Sequence, residues 1–426
     1  MPTLQGTLLQ PRSTVRCDVT ASAVVEIAED GRFAEVRSAR PRGRDVLGGE
    51  GCWILPGFID AHLHLPQWDR RGIDGMALFD WLDGVVYPAE LRFRDPDLAE
   101  RLTQDFVTGL IANGTTTAAA FGSPFAESTE RSFRVLADRG YRAIFGKILN
   151  DMNCPPGLCE PADKALEESR MLAAKWHNAE NGRLRYAFSP RMPSCCSEKI
   201  LRGSAALADM LQCHVQTHVG ESSAVVHAAR ETHPDQIDDV DVFAEMGLLT
   251  PRTLLGHGVF LDQQRRRQVA EAGTALVHCP TANLFLQSGL MDYVAHRAAG
   301  IRMALGSSVA GGFEAFMPRV AVAALQTAKA LRVHAIPRGA YAVPGPAEAW
   351  WMLTRGAAEA LGWADAIGSI EAGFQADCLV VRPEAWIADL PAQQQIAALL
   401  YTLQPCQIEH VFIAGRRVGP EGPPRA

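Results

Sequence analysis

The stretch WILPGFIDAHLHL, residues 53–65, is where the fold becomes readable. It is a short apolar run that reads as a strand, and it ends on His62 and His64, whose spacing of two sends both imidazoles out on the same face. Comparable runs follow at GTTTAAAF (114–121), RAIFGKIL (142–149), LRYAFSPR (184–191), CHVQTHV (213–219), TLLGHG (253–258), TALVHCP (274–280) and RMALGSS (302–308). Between them lie amphipathic stretches such as PDLAERLTQDFVTGLIANG (96–114), apolar at spacings of three and four and closed by a glycine. Eight strand-like runs alternating with helical crossovers predict an α/β fold, a parallel (β/α)8 TIM barrel, with a doubly wound sheet as the competing arrangement.

The two ends read differently. AVVEIAEDGRFAEV (23–36), SIEAGFQADCLVV (369–381) and HVFIAGRRV (410–418) look like antiparallel strands joined by glycine turns. Residues 1–55 and 369–426 are therefore expected to assemble one small composite β-sandwich around a barrel spanning 56–368. A short Gly/Pro/Arg tail occupies 419–426.

Composition narrows the function. The 426 residues are 47% hydrophobic and 21% charged, with a formal net charge of −7. That mild acidity argues against a broad phosphate-binding surface, so no nucleic-acid partner is expected. No apolar run of about 18 residues predicts a membrane span, and the N-terminus lacks a signal-peptide core, so the expected location is cytoplasmic. Ten cysteines include no CxxC pair and several sit in apolar runs, which predicts reduced, mostly buried thiols rather than disulfides or a thiolate metal site.

The chemistry gathers at strand ends, where barrel enzymes carry their active sites. Besides His62 and His64, His218 ends the fifth run and His257 the sixth. Neutral imidazoles suit Zn2+ and similar ions, and three protein ligands with one open position is the catalytic arrangement. Glu221, three residues beyond His218, is placed to move a proton between a metal-activated water and a substrate.

With those residues identified, PGFIDAHLHLPQ, THVGE, LLGHG, VHCPTANLFLQSG and ALGSSVAGG resemble the successive motifs of the amidohydrolase superfamily. HLHLPQ, FDWLDGVVYPAE (79–90), FSPRMPSC (188–195) and CPTANLFLQSG (279–289) are similar to its guanine deaminase branch in order and spacing. The resemblance implies a metal-dependent hydrolase that deaminates guanine, or a close oxopurine, to xanthine and ammonia through a single metal-bound hydroxide. It implies that His62, His64 and His218 hold one Zn2+ (Fe2+ in some relatives), that His257 stabilises the oxyanion, and that Glu221 protonates the ring nitrogen beside C2. It further implies that Gln67 and Arg191 bind the purine edge and O6, and that relatives commonly form homodimers. Met192 and Trp68 are candidates for the pocket wall, with core packing as the alternative for both. Asn283 reads as a residue that pins its loop.

One position departs from the pattern. Where the family carries an aspartate after strand eight, this chain has Ser308, in GSSVAGG (306–312). A serine hydroxyl is no base at neutral pH, and losing a general base costs roughly 10²–10⁴-fold in rate. Three explanations stand: Glu221 performs both proton transfers, the chain binds purines without turning them over, or the aspartate was replaced deliberately. Of the other carboxylates, Glu314 is six residues on and Asp69 lies past the HxH loop, and neither is an obvious substitute. Rival substrates are s-triazines, pterins and 8-oxoguanine.

Overall fold

A computed structural model of the chain describes residues 2–38, 46–74, 76–334 and 341–419. The chain opens with β1 (Thr3–Ser13), β2 (Arg16–Ile27), β3 (Phe33–Ser38) and β4 (Val46–Pro56). It continues through β5 (Phe58–His64), β6 (Thr115–Phe121), β7 (Arg142–Gly146), β8 (Ile148–Leu149), β9 (Leu184–Pro190) and β10 (His214–Val219). Then come β11 (Thr253–His257), β12 (Ala275–His278), β13 (Arg302–Leu305), β14 (Cys378–Val381), β15 (Ile408–Ile413) and β16 (Arg416–Val418).

The predicted barrel is present. β5, β6, β7, β9, β10, β11, β12 and β13 lie side by side in that order, with every pair parallel. All residues of β5, β6 and β11 are buried, as strands covered on both faces must be. The run RAIFGKIL is not one strand: it breaks after Gly146, and the two-residue β8 pairs with the end of β9. The amphipathic stretch 96–114 forms a helix over Pro96–Ala112, whose amino end is capped by the Asp95 carboxylate accepting from Asp97 N–H. Phe106, Val107, Leu110 and Ile111 of that helix are buried.

The barrel closes between its first and last strands at GSSV. Ser308 N–H donates to the His62 carbonyl at 2.8 Å, and His64 N–H donates to the Val309 carbonyl at 2.7 Å. The ends of β5 and the loop after β13 are therefore held together by backbone, whatever side chain position 308 carries.

Both termini join one seven-stranded sheet, in the order β16-β15-β14-β4-β1-β2-β3, with Leu4, Val25, Ile54, Val380 and Phe412 gathered in one core. It departs from the expected all-antiparallel pattern, because β1 and β4 pair in parallel. Only Cys378–Val381 of SIEAGFQADCLVV is a strand, and the C-terminal segment also contains a helix, Ala392–Thr402. The helix arises because Ile396, Leu399 and Leu400 repeat at helical spacing and are buried. Residues 420–426 of the Gly/Pro/Arg tail lie outside the described residues.

The thiol expectation needs correction. Cys154 and Cys159 form a disulfide, with their Cα atoms 5.8 Å apart. A tight turn, in which Cys159 N–H donates to the Pro155 carbonyl, brings them together, and their spacing gave no warning of it. The remaining eight cysteines are free and six of them are buried. No described helix is long and apolar enough to cross a membrane.

Candidate active site

Four histidines converge at the carboxyl ends of β5, β10 and β11. Nitrogen atoms of His62, His218 and His257 lie within 4.8 Å of one another, and His64 Nε2 is 3.2 Å from His218 Nε2. Two glycines make this approach possible. A Cβ on Gly256 would come within 2.5 Å of His62 Cε1, and one on Gly306 within 2.7 Å of His62 Cβ. The glycines of LLGHG and ALGSS are thus the space into which the His62 side chain packs.

These residues fit a metal ion. His62 Nε2 is buried without a hydrogen-bond partner. His218 Nδ1 faces the Arg191 carbonyl at 2.7 Å, which leaves its Nε2 for the common point. Burial, reinforced by the neighbouring imidazoles, holds His62 and His64 well below their ordinary pKa, and burial together with His257 brings His218 down to about 3. Buried imidazole nitrogens this close together form a ligand set of the kind zinc takes.

Around this cluster is a narrow cavity lined among others by Gln67, Arg191, Met192, Glu221, His257 and Ser308. All six candidates therefore share one cavity with His64 and His218. Glu221 follows Gly220, which has φ of +50° and whose N–H is held by the Asp239 carboxylate. Its Oε1 lies 3.5 Å from His257 Nε2, and burial pushes its carboxyl above the ordinary range while His257 works against that rise. His257 Nδ1 is 2.8 Å from Asn283 Oδ1, so its Nε2 is the nitrogen turned to the cavity. Asn283 does more than pin its loop. It orients a pocket histidine.

Arg191 is both salt-bridged and pocket-lining: its Nη2 pairs with the buried Glu90, and its Nε donates to Asn150 Oδ1 at 3.3 Å. Burial works against its charge, but Glu90, Tyr87 and Cys195 together outweigh it, and the guanidinium pKa lies above its ordinary value. Gln67 is 2% exposed and its Oε1 accepts from Ala310 N–H at 3.4 Å. Met192 lines the cavity, whereas Trp68 packs in the core against Phe106, over the space left by Gly109. The segment FDWLDGVVYPAE supplies further apolar wall through Trp81, Leu82 and Val86.

Ser308 is buried, lines the cavity, and has φ of +49°; His257 has φ of +74°. Both are held in a left-handed conformation unusual for residues with a Cβ, as is common where strand ends present active-site groups. Neither alternative carboxylate replaces the lost acid. Asp69 pairs with Arg92 at 2.9 Å, and Glu314 accepts from Phe316 N–H at 2.8 Å. Glu221 is the only carboxylate lining the cavity among the described residues. Glu90 and Asn150 were missed in the sequence, because their partners lie about a hundred and about forty residues away and no local spacing links them.

A parallel eight-stranded barrel with converging neutral histidines and one acid at its strand ends defines a barrel hydrolase of the metal-dependent kind. Residues 53–418 match the amidohydrolase family, and the chain belongs to it. It is 33% identical over 393 residues to a probable guanine deaminase of Deinococcus radiodurans, covering 90% of this chain and 87% of that protein. Its identity to the guanine deaminase of Escherichia coli is 30% over 336 residues, covering 79% and 74%. The crystal structure of guanine deaminase from Bradyrhizobium japonicum matches it with a TM-score of 0.90 at 26% identity, over 97% of this chain and 98% of that one.

Proposed function

We propose that this chain is an aminohydrolase that converts guanine to xanthine and ammonia, with zinc held by His62, His64 and His218. The observation that carries this reading is one cavity lined by Gln67 and Arg191 together with His64, His218, His257 and a single acid, Glu221. Relatives that bear the guanine deaminase name at 33% and 30% identity support it.

When bound, the ion supplies Lewis-acid polarisation and a lowered pKa for the attacking water. The protein's own groups do the rest. Arg191 and Gln67 hold the purine edge, with Arg191 donating to O6, while Met192, Trp81 and Leu82 enclose the ring. Glu221 takes a proton from the water as its oxygen bonds to C2, and delivers it to the adjacent ring nitrogen. His257, fixed by Asn283, turns Nε2 toward the oxygen on C2. The bond from C2 to the exocyclic nitrogen then breaks as Glu221 takes the remaining proton from the C2 hydroxyl and passes it to the amine, which leaves as ammonia while the oxygen becomes the C2 carbonyl. A raised Glu221 pKa suits a group that must both accept and donate near neutral pH. Ser308 takes no proton in this scheme, so one carboxylate serves both transfers.

The test is loss of guanine's ultraviolet absorbance with zinc-loaded protein. Glu221→Gln should lower kcat by about 10²–10⁴-fold; activity that survives it would refute the single-carboxylate scheme. Turnover in neither wild type nor Ser308→Asp, with one zinc bound to each, would sink the guanine assignment. Ser308 also favours a second reading, a purine-binding protein that has lost turnover. Guanine binding without turnover in the wild type, with turnover restored in Ser308→Asp, would mark that case. We further place the protein as a cytoplasmic homodimer in purine breakdown, which sedimentation would check by giving twice the monomer mass.

A further inference from the structure

Glu90 is 1% exposed and stands behind the purine pocket, not on its surface. No step above uses it. A buried carboxylate is costly unless it is paired, so its partners show what it is for. One is Arg191, whose Nη2 donates to Glu90 Oε2; the other is the Gln67 side chain. Both partners line the cavity. Tyr87, one helical turn earlier on the Tyr87–Leu91 helix, places its ring 5.4 Å from the same guanidinium.

The remaining bonds determine what these two side chains can show a ligand. Arg191 Nε is committed to Asn150, and one Nη2 hydrogen to Glu90, so Nη1 and the second Nη2 hydrogen are left for the cavity. Gln67 Oε1 is taken by Ala310 N–H, and a carboxylate can only accept, so Glu90 draws the amide nitrogen toward itself. The second amide hydrogen is then the group free to face a ligand. Glu90 thus turns both wall residues into donors. A carbonyl oxygen meets such a wall favourably, while a ring carbon bearing only hydrogen leaves the donors unpaired.

Resting on the oxopurine reading of this pocket, we propose that Glu90 is a positioning residue that sets selectivity for a 6-oxo purine through Arg191 and Gln67. It touches no substrate atom. A merely structural ion pair would affect all ligands alike, whereas a positioning role concerns the 6-oxo group alone.

Hypoxanthine and unsubstituted purine separate the two roles, since they differ at position 6 and neither has a 2-amino group to lose. Their dissociation constants are measured by calorimetry on zinc-loaded wild type, Glu90→Gln and Glu90→Asp, with zinc content and melting temperature recorded for each. Wild type should prefer hypoxanthine, and Glu90→Gln should shrink that preference roughly 10- to 100-fold, the scale of a lost hydrogen bond to a charged group. Glu90→Asp, which keeps the charge, should retain part of it. An unchanged preference, or affinities for both ligands falling together, overturns the proposal; if Glu90→Gln does not fold, Glu90→Asp is judged by the same criterion. A wild type that binds neither hypoxanthine nor guanine instead overturns the oxopurine reading beneath it.

Discussion

Asn283 shows how much of this pocket depends on single hydrogen bonds between side chains far apart in sequence. Its Oδ1 sits 2.8 Å from His257 Nδ1, and both residues are buried. With Nδ1–H pointed at that oxygen, the ring turns Nε2 toward Glu221 at 3.5 Å. Asn283→Ala removes the acceptor and leaves the ring free to rotate. We expect kcat on guanine to fall about 10–100-fold, the usual effect of removing a partner that orients a metal-site histidine, with KM little changed. A KM rise at constant kcat would place Asn283 in substrate binding instead. Ser308 is the contrasting residue. Its backbone N–H helps close the barrel while its side chain only lines the cavity, so the fold tolerates serine where the family carries an acid.

At the scale of elements, two glycines test how strand and helix surfaces are shaped. Gly256 on β11 leaves room for the His62 ring, and Gly109 on the Pro96–Ala112 helix leaves room for Trp68, where a Cβ would come within 2.2 Å of Cζ2. Gly256→Ala should therefore displace His62 and lower zinc stoichiometry as well as stability. Gly109→Ala should cost about 1–3 kcal/mol by overpacking, while zinc stoichiometry stays at the wild-type value. Elemental analysis beside denaturant unfolding separates the two, and equal metal loss in both would contradict this division of roles. The elements themselves were largely legible. Buried parallel strands are runs of apolar residues, and the helix over 96–112 carries its own period and cap. What local pattern did not show was the break after Gly146 and the Cys154–Cys159 bond. In each case a contact elsewhere in the chain, or a turn without a spacing signature, decides the outcome.

For the whole molecule, the joint between barrel and terminal sheet rests on a buried ion pair. Arg142 on β7 donates to Asp377, just before β14, at 2.8 Å, with side chains 1% and 2% exposed. Asp377 also accepts from Ala414 N–H at 2.7 Å, and Gln375 binds the same guanidinium. Asp377→Ala would leave the Arg142 charge uncompensated in the interior, so unfolding free energy should drop by about 3–5 kcal/mol in urea titrations. A loss below about 1 kcal/mol would mean that Gln375 alone suffices for the guanidinium.

The sequence by itself determined the barrel, the family, the histidines and acid of the pocket, and the absence of the strand-eight aspartate. These lie in local motifs: strand periodicity, histidines at strand ends, and Glu221 three residues past His218. Only the tertiary structure decided that Ser308 lies in the barrel's closing seam, that neither Asp69 nor Glu314 lines the pocket, and that Glu90 stands behind Gln67 and Arg191. The reason is physical. Side-chain direction along a strand follows from its own residues, but the partner of a buried charge is whichever group the closed barrel brings within hydrogen-bonding distance, and no spacing along the chain encodes that.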